Sequence, residues 1–208
     1  MLPDRINEIF DTIDFEETGY TVVNSIEFQA SDVVLYFEMF LGDDTSEKWK
    51  VEIKNIVAHE IRVDLLNRFI FGISFSEDHP ILWEFTDYQS SLFFSSLPEN
   101  PDTLLADIYK LHKTLFDDWV PLEKYLNGKG LYDLCRSPFG LFAKGSNKLL
   151  TEYASILDQH NIVNNLQGMS EPVYWDINQY RKREIPVKLL FFGTSYFVAE
   201  NFEFTSIR

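Results

Sequence analysis

The stretch Trp49 to Val63, WKVEIKNIVAHEIRV, limits most strongly what this chain can fold into. Six of its eight odd positions are apolar (Trp49, Val51, Ile53, Val57, Ile61 and Val63), and five of its seven even positions are charged (Lys50, Glu52, Lys54, Glu60 and Arg62). A period of two sends successive side chains to opposite sides of a pleated strand. One side is dry and the other wet, the pattern of an antiparallel sheet with one solvated face. At ~3.3 Å per residue the stretch runs about 50 Å, longer than a usual strand, so a bend or bulge is expected between Asn55 and Ala58. The same count puts Asn55 and His59 on the dry side. Two inward polar groups either find backbone partners in a core or line a small-molecule pocket, which Trp83 and Tyr153 would help to form.

The neighbouring sequence supplies more strands. Residues 3–14 read as a helix, with Pro3 in its first turn, an apolar stripe of Ile6, Ile9, Phe10 and Ile13, and Gly19 as a stop. Alternation then marks Tyr20, Val22, Ile26 and Phe28, and next Val33 to Leu41, whose apolar residues on both sides predict cover on both faces. Phe69, Phe71, Ile73 and Phe75 form another alternating set; Ile81, Trp83 and Phe85 another; residues 91–97 a last one, in all a meander of about six strands.

Beyond Pro98-Glu99-Asn100-Pro101 the period becomes helical. Leu104, Leu105, Ile108, Leu111, Leu115 and Trp119 make one stripe, and Ser146 caps a second helix reaching His160 through Leu149, Leu150, Tyr153, Ile156 and Leu157. Residues 161–185 show little periodicity. A hairpin closes the chain, turning at Gly193-Thr194. Segregated blocks of helices and strands predict α+β rather than alternating α/β. The expected architecture is a single domain spanning 1–208, with 98–101 as a weaker alternative boundary. Its large, mostly antiparallel sheet of about six to eight strands, with curvature left open, packs against the helical group of the second half, and the C-terminal hairpin joins that sheet.

Charge separates the two halves. Residues 1–100 carry 6 Lys and Arg against 20 Asp and Glu, net −14, whereas 101–208 carry 12 against 13, net −1. An acidic half repels phosphate backbones, which disfavours nucleic acid and favours a basic protein partner; solubility alone is the plainer reading. A single cysteine, Cys135, excludes an internal disulfide and fits a reducing compartment. With neither a secretory pattern at the start nor an apolar run of membrane length, the expectation is a soluble cytoplasmic protein.

Catalytic templates are incomplete. In GLFAKGSNK (140–148), Gly140 and Gly145 have phosphate-loop spacing, but Ser146 and Asn147 stand where Lys and Ser or Thr are needed. What these residues still offer is an anion site, from Lys144, Gly145, Ser146, Lys148 and the free N–H groups of the helix start. His59-Glu60 lacks the second histidine of a zinc-protease helix, because residue 63 is Val. His59, His79, His112 and His160 have no metal-ligand spacing, and no cofactor or metal is implied. Cys135, between Leu134 and Arg136, reads as a buried structural thiol. The basic run Arg181, Lys182 and Arg183, with Tyr180 and Trp175, is the chain's one basic–aromatic cluster; it suits an acidic partner, a neighbouring copy or the chain's own acidic half. The leading expectation is a non-enzymatic binding protein, with self-association into a homo-oligomer left open. The alternative is a small-molecule-binding or enzymatic α+β domain with a pocket near His59.

Overall fold

A computed structural model describes residues 1–42, 45–62, 65–66, 69–128, 134, 136–171 and 186–207. The described residues contain five helices and nine strands, all strand pairs named below being antiparallel, and the class is α+β. They divide into two compact units: one of Met1–His79 with the C-terminal hairpin, the other from Pro80 to Glu171.

The first unit opens with α1 (Asp4–Phe10) and α2 (Ile13–Thr18). The predicted single helix is two, because the Thr12 side chain accepts from the Phe15 N–H and starts a new helix. Gly19 ends α2; a Cβ there would lie 2.4 Å from the Phe15 ring, so the position needs glycine for space. Six strands follow in the spatial order β1-β2-β3-β9-β8-β4: β1 (Tyr20–Gln29), β2 (Asp32–Phe40), β3 (Ser46–Glu60), β4 (Ile73–Ser76), β8 (Lys188–Phe192) and β9 (Ser195–Ile207). The C-terminal hairpin enters this sheet as expected, with Val51 opposite Phe204 and Leu35 opposite Val51 on the other side.

Trp49, Val51 and Ile53 are buried in one core with Leu35, Phe37, Met39, Ile6, Ile9 and Phe192. Lys50, Glu52 and Lys54 lie on the outer face, where both ammonium groups bind the Glu52 carboxylate. Those hydrogen bonds hold its pKa down to about 2. The expected irregularity falls at Ile56–Ala58, where the register to β9 shifts, and Asn55 just before it has a left-handed backbone with φ 53°.

A second bulge corrects β1. Thr21 and Val23 are buried rather than Val22; Asn24 is then an extra residue, so that Ile26, opposite Leu35, reaches the core. Val34 is buried on the outer side of β2, which agrees with predicted cover on both faces. The alternating set at 69–75 is strand only from Ile73 onward; Phe69 and Phe71 are exposed.

In the second unit, β5 (Gln89–Phe94) runs between β6 (Gly140–Ser146) and β7 (Asn164–Ser170). The nine strands thus form sheets of six and three, and the helices of the second half lie with the smaller one. Helix α4 (Pro101–Phe116) contacts α5 (Asn147–Gln159), and α5 contacts all three strands. Residues 81–85 are not a strand: Pro80–Leu82 is a 3-10 turn leading into α3 (Trp83–Thr86), with neighbours Ile81 and Leu82 both buried. Pro80 presets the helical φ and opposes extension. No helix among the described residues is long and apolar enough to cross a membrane.

Candidate functional site

Among the described residues of the first unit, the most exposed aromatic surface is built by the segment between β3 and β4. Ile70 forms a two-way backbone bridge to Thr21 (N–O 2.7 and 2.8 Å), and Gly193 N–H donates to the Gly72 carbonyl at 3.0 Å. The segment is therefore tied to β1 and to the tip of the β8–β9 hairpin. Ile70 faces inward and is buried, so alternation turns its neighbours outward: Phe69 and Phe71 are 64% and 72% exposed. With Leu65, Ile70, Phe192 and Thr194 they line a groove of about 330 Å³. The Phe69 ring lies 4.4 Å from Tyr20, which stacks on Phe40 at 4.8 Å.

Tyr20 follows α2 after one glycine. Along α1 and α2, the acidic side chains Asp4, Glu8, Asp11, Asp14, Glu16 and Glu17 are all exposed. Arg5 is the one cation in this segment, and it is held by Glu47 and Glu8. An aromatic patch thus adjoins an acidic helical surface in the chain.

Asn55 and His59 belong to this unit. The Asn55 side-chain amide donates to Glu200 at 2.6 Å, and the Asn55 backbone N–H donates to Asp32 at 2.9 Å. Asparagine tolerates the left-handed conformation that the kink imposes, so these contacts fix the strand. His59 is exposed, which corrects the buried position its parity predicts, although it pairs across the sheet with the buried Phe197 near the end of β3. There it stacks on Phe197 (6.3 Å) and leans on Phe28 (5.6 Å).

Trp83 and Tyr153 belong to the second unit. Trp83 is half-buried under the Lys148 ammonium, 5.9 Å from its ring. Tyr153 is fully buried, its hydroxyl 2.8 Å from Nδ1 of His112, whose Nε2 lies 2.7 Å from the Val120 carbonyl. Burial holds the His112 pKa below the ordinary imidazole value and pushes the Tyr153 phenol above its own range. This dry, satisfied pair is structural. The sequence reading missed His112, although it lies midway between Ile108 and Phe116 at helical spacing and shares their buried face. His160 joins α5 to α4 through Asp107, 2.9 Å away.

The start of α5 is occupied from within. The Ser146 side chain accepts from Leu149 N–H at 3.2 Å, and Asp87 accepts from Lys148 N–H at 2.7 Å. A carboxylate thus sits where an anion would bind, and Gly145 packs on Tyr125 as part of β6 rather than of a phosphate loop. Lys144 is exposed on the same strand. The basic–aromatic cluster Trp175, Tyr180, Arg181, Lys182 and Arg183 lies outside the described residues, as does Cys135. Among the described residues no group of three or more His, Cys, Asp or Glu is placed to hold a metal.

Comparison with protein-family models, with curated proteins and with solved structures finds no match for this chain.

Proposed function

We propose that the first unit is a non-enzymatic interaction module that takes a basic protein partner. The observation that carries this reading is the surface of α1 and α2, where six exposed carboxylates face one cation already engaged by Glu47 and Glu8. Same-sign charge on one surface raises the encounter rate with an oppositely charged partner and makes binding sensitive to salt. A small-molecule pocket at His59 draws less support, because His59 is exposed and Asn55 is already bound to Glu200.

The test is fluorescence anisotropy of a labelled lysine- and arginine-rich peptide, with an acidic peptide as control. The basic peptide should bind and the acidic one should not, and affinity should fall steeply between about 50 and 300 mM salt. The double variant Glu16→Lys, Glu17→Lys should weaken binding about tenfold, through charge reversal at the surface. Equal, salt-independent affinity for both peptides would remove the proposal.

A further inference from the structure

We infer that the groove between Phe69 and Phe71 receives an apolar or aromatic anchor side chain of the same basic segment; this rests on the reading of the acidic surface given above. The aromatic exposure comes from a fixed backbone. Ile70 is locked to Thr21 by both of its backbone hydrogen bonds, and Gly72 is tied to Gly193. Between those ties, burying Ile70 forces Phe69 and Phe71 outward. Leu66, in the same segment, is 41% exposed. Contiguous exposed apolar surface of this kind marks interaction sites in monomeric proteins. At about 330 Å³ the groove is at the small end of ligand sites, a size for one or two side chains rather than a cofactor.

Charge and ring geometry identify the occupant. Phe69 continues into the Tyr20–Phe40 stack, and Tyr20 lies three residues beyond Glu17 and four beyond Glu16. The aromatic faces beside the groove attract lysine and arginine, and the carboxylates of Glu16 and Glu17 precede Tyr20 closely in the chain. The first unit, residues 1–79 and 175–208, carries 21 Asp and Glu against 11 Lys and Arg, a net −10 that favours a cationic partner. Among the described basic residues near the groove is Arg62, which is half-buried and whose N–H is bonded to Ser195. Aromatic anchors seated in pockets dominate binding in interfaces of this sort, with charged neighbours setting rate and specificity.

Three labelled peptides test this on the full chain: a basic peptide with one tryptophan, the same peptide with serine in its place, and an acidic peptide with the tryptophan. The tryptophan-bearing basic peptide should bind tightest. Phe71→Ser, at a side chain outside the core, should lower its affinity at least tenfold, to that of the serine peptide, and leave the serine peptide and the salt dependence unchanged. If both basic peptides bind equally and Phe71→Ser changes neither, the anchor site is wrong while the acidic-surface reading stands. If no basic peptide binds in a salt-dependent way, that reading falls as well. Sedimentation of the free protein covers the other occupant: concentration-dependent dimers abolished by Phe71→Ser would overturn the proposal in favour of a second copy.

Discussion

Replacing Tyr153 by Phe probes a buried polar pair in the second unit. The Val120 carbonyl can only accept, so His112 Nε2, 2.7 Å away, carries the proton. Nδ1 is then a lone pair, and the Tyr153 hydroxyl donates to it across 2.8 Å. His112 is 2% exposed and Tyr153 0%, so bulk water does not reach the lone pair. Tyr153→Phe deletes one oxygen and leaves little void. Its cost is the orphaned buried acceptor, about 1–3 kcal/mol. In a His112→Phe background the hydroxyl itself is the orphan, and removing it should be neutral or stabilising. The two backgrounds should therefore differ by about 1 kcal/mol or more; the Val120 carbonyl left unpaired by His112→Phe is common to both members of that background and cancels.

Urea unfolding at pH 8, followed by tryptophan fluorescence and by circular dichroism, measures the cycle. Tyr153→Phe within about 0.3 kcal/mol of the parent, or equally costly in both backgrounds, would refute the reasoning, since coupled neighbours depart from additivity by more than that. A pH series adds a second reading. Burial holds His112 below the ordinary imidazole pKa, so as pH falls the unfolded chain takes up the proton first. The associated stability is complete above the unfolded value of about 6.5 and is lost as pH falls through the lower folded value. His112→Phe should flatten that slope without abolishing it, because burial also lowers His79 in the first unit.

Two further substitutions test the sheet. Asn55→Ala keeps the left-handed φ of 53° but loses asparagine's tolerance for it, which costs about 1–2 kcal/mol, and it also gives up the bond to Glu200. Asn55→Gly should lose less, and equal urea midpoints for the two variants would show that the backbone conformation is not what Asn55 supports. The Thr21 hydroxyl is fully buried and has no hydrogen-bond partner among the described residues. Thr21→Val should therefore raise stability by about 1 kcal/mol, since it removes an unsatisfied polar group at nearly constant shape; a lower melting temperature would mean that the hydroxyl is satisfied after all.

Legibility of the fold follows the range of the interactions that decide each element. Trp49, Val51 and Ile53 are readable because one face of one strand meets one core, so period two survives intact. The bulge is readable from length, since fifteen extended residues outrun a flat sheet. Residues 81–85 mislead because Ile81, Trp83 and Phe85 alternate by chance while Pro80 sets the helical φ. Strand β6 hides for a different reason: its seven residues, GLFAKGS, have glycines at positions that suggest a loop, and its partner β5 lies far back in the chain. Pairing at that separation leaves no local period to read.

The same distinction separates the acidic surface from the groove beside it. The carboxylates of α1 and α2 are visible in composition because charge needs no partner to be counted. The groove depends on Ile70 bonding to Thr21 and on Gly72 bonding to Gly193, contacts between residues remote in sequence. By alternation alone Phe69, Phe71, Ile73 and Phe75 read as one inward row. Burying Ile70 puts Phe69 and Phe71 out of phase with the core, and Ile73 is back in it when β4 begins. The phase slip between Phe71 and Ile73, at Gly72, turns two phenylalanines from core into surface. Because Ile70 and Ile73 are buried on either side of it, that exposure is a property of the folded backbone and available to a partner.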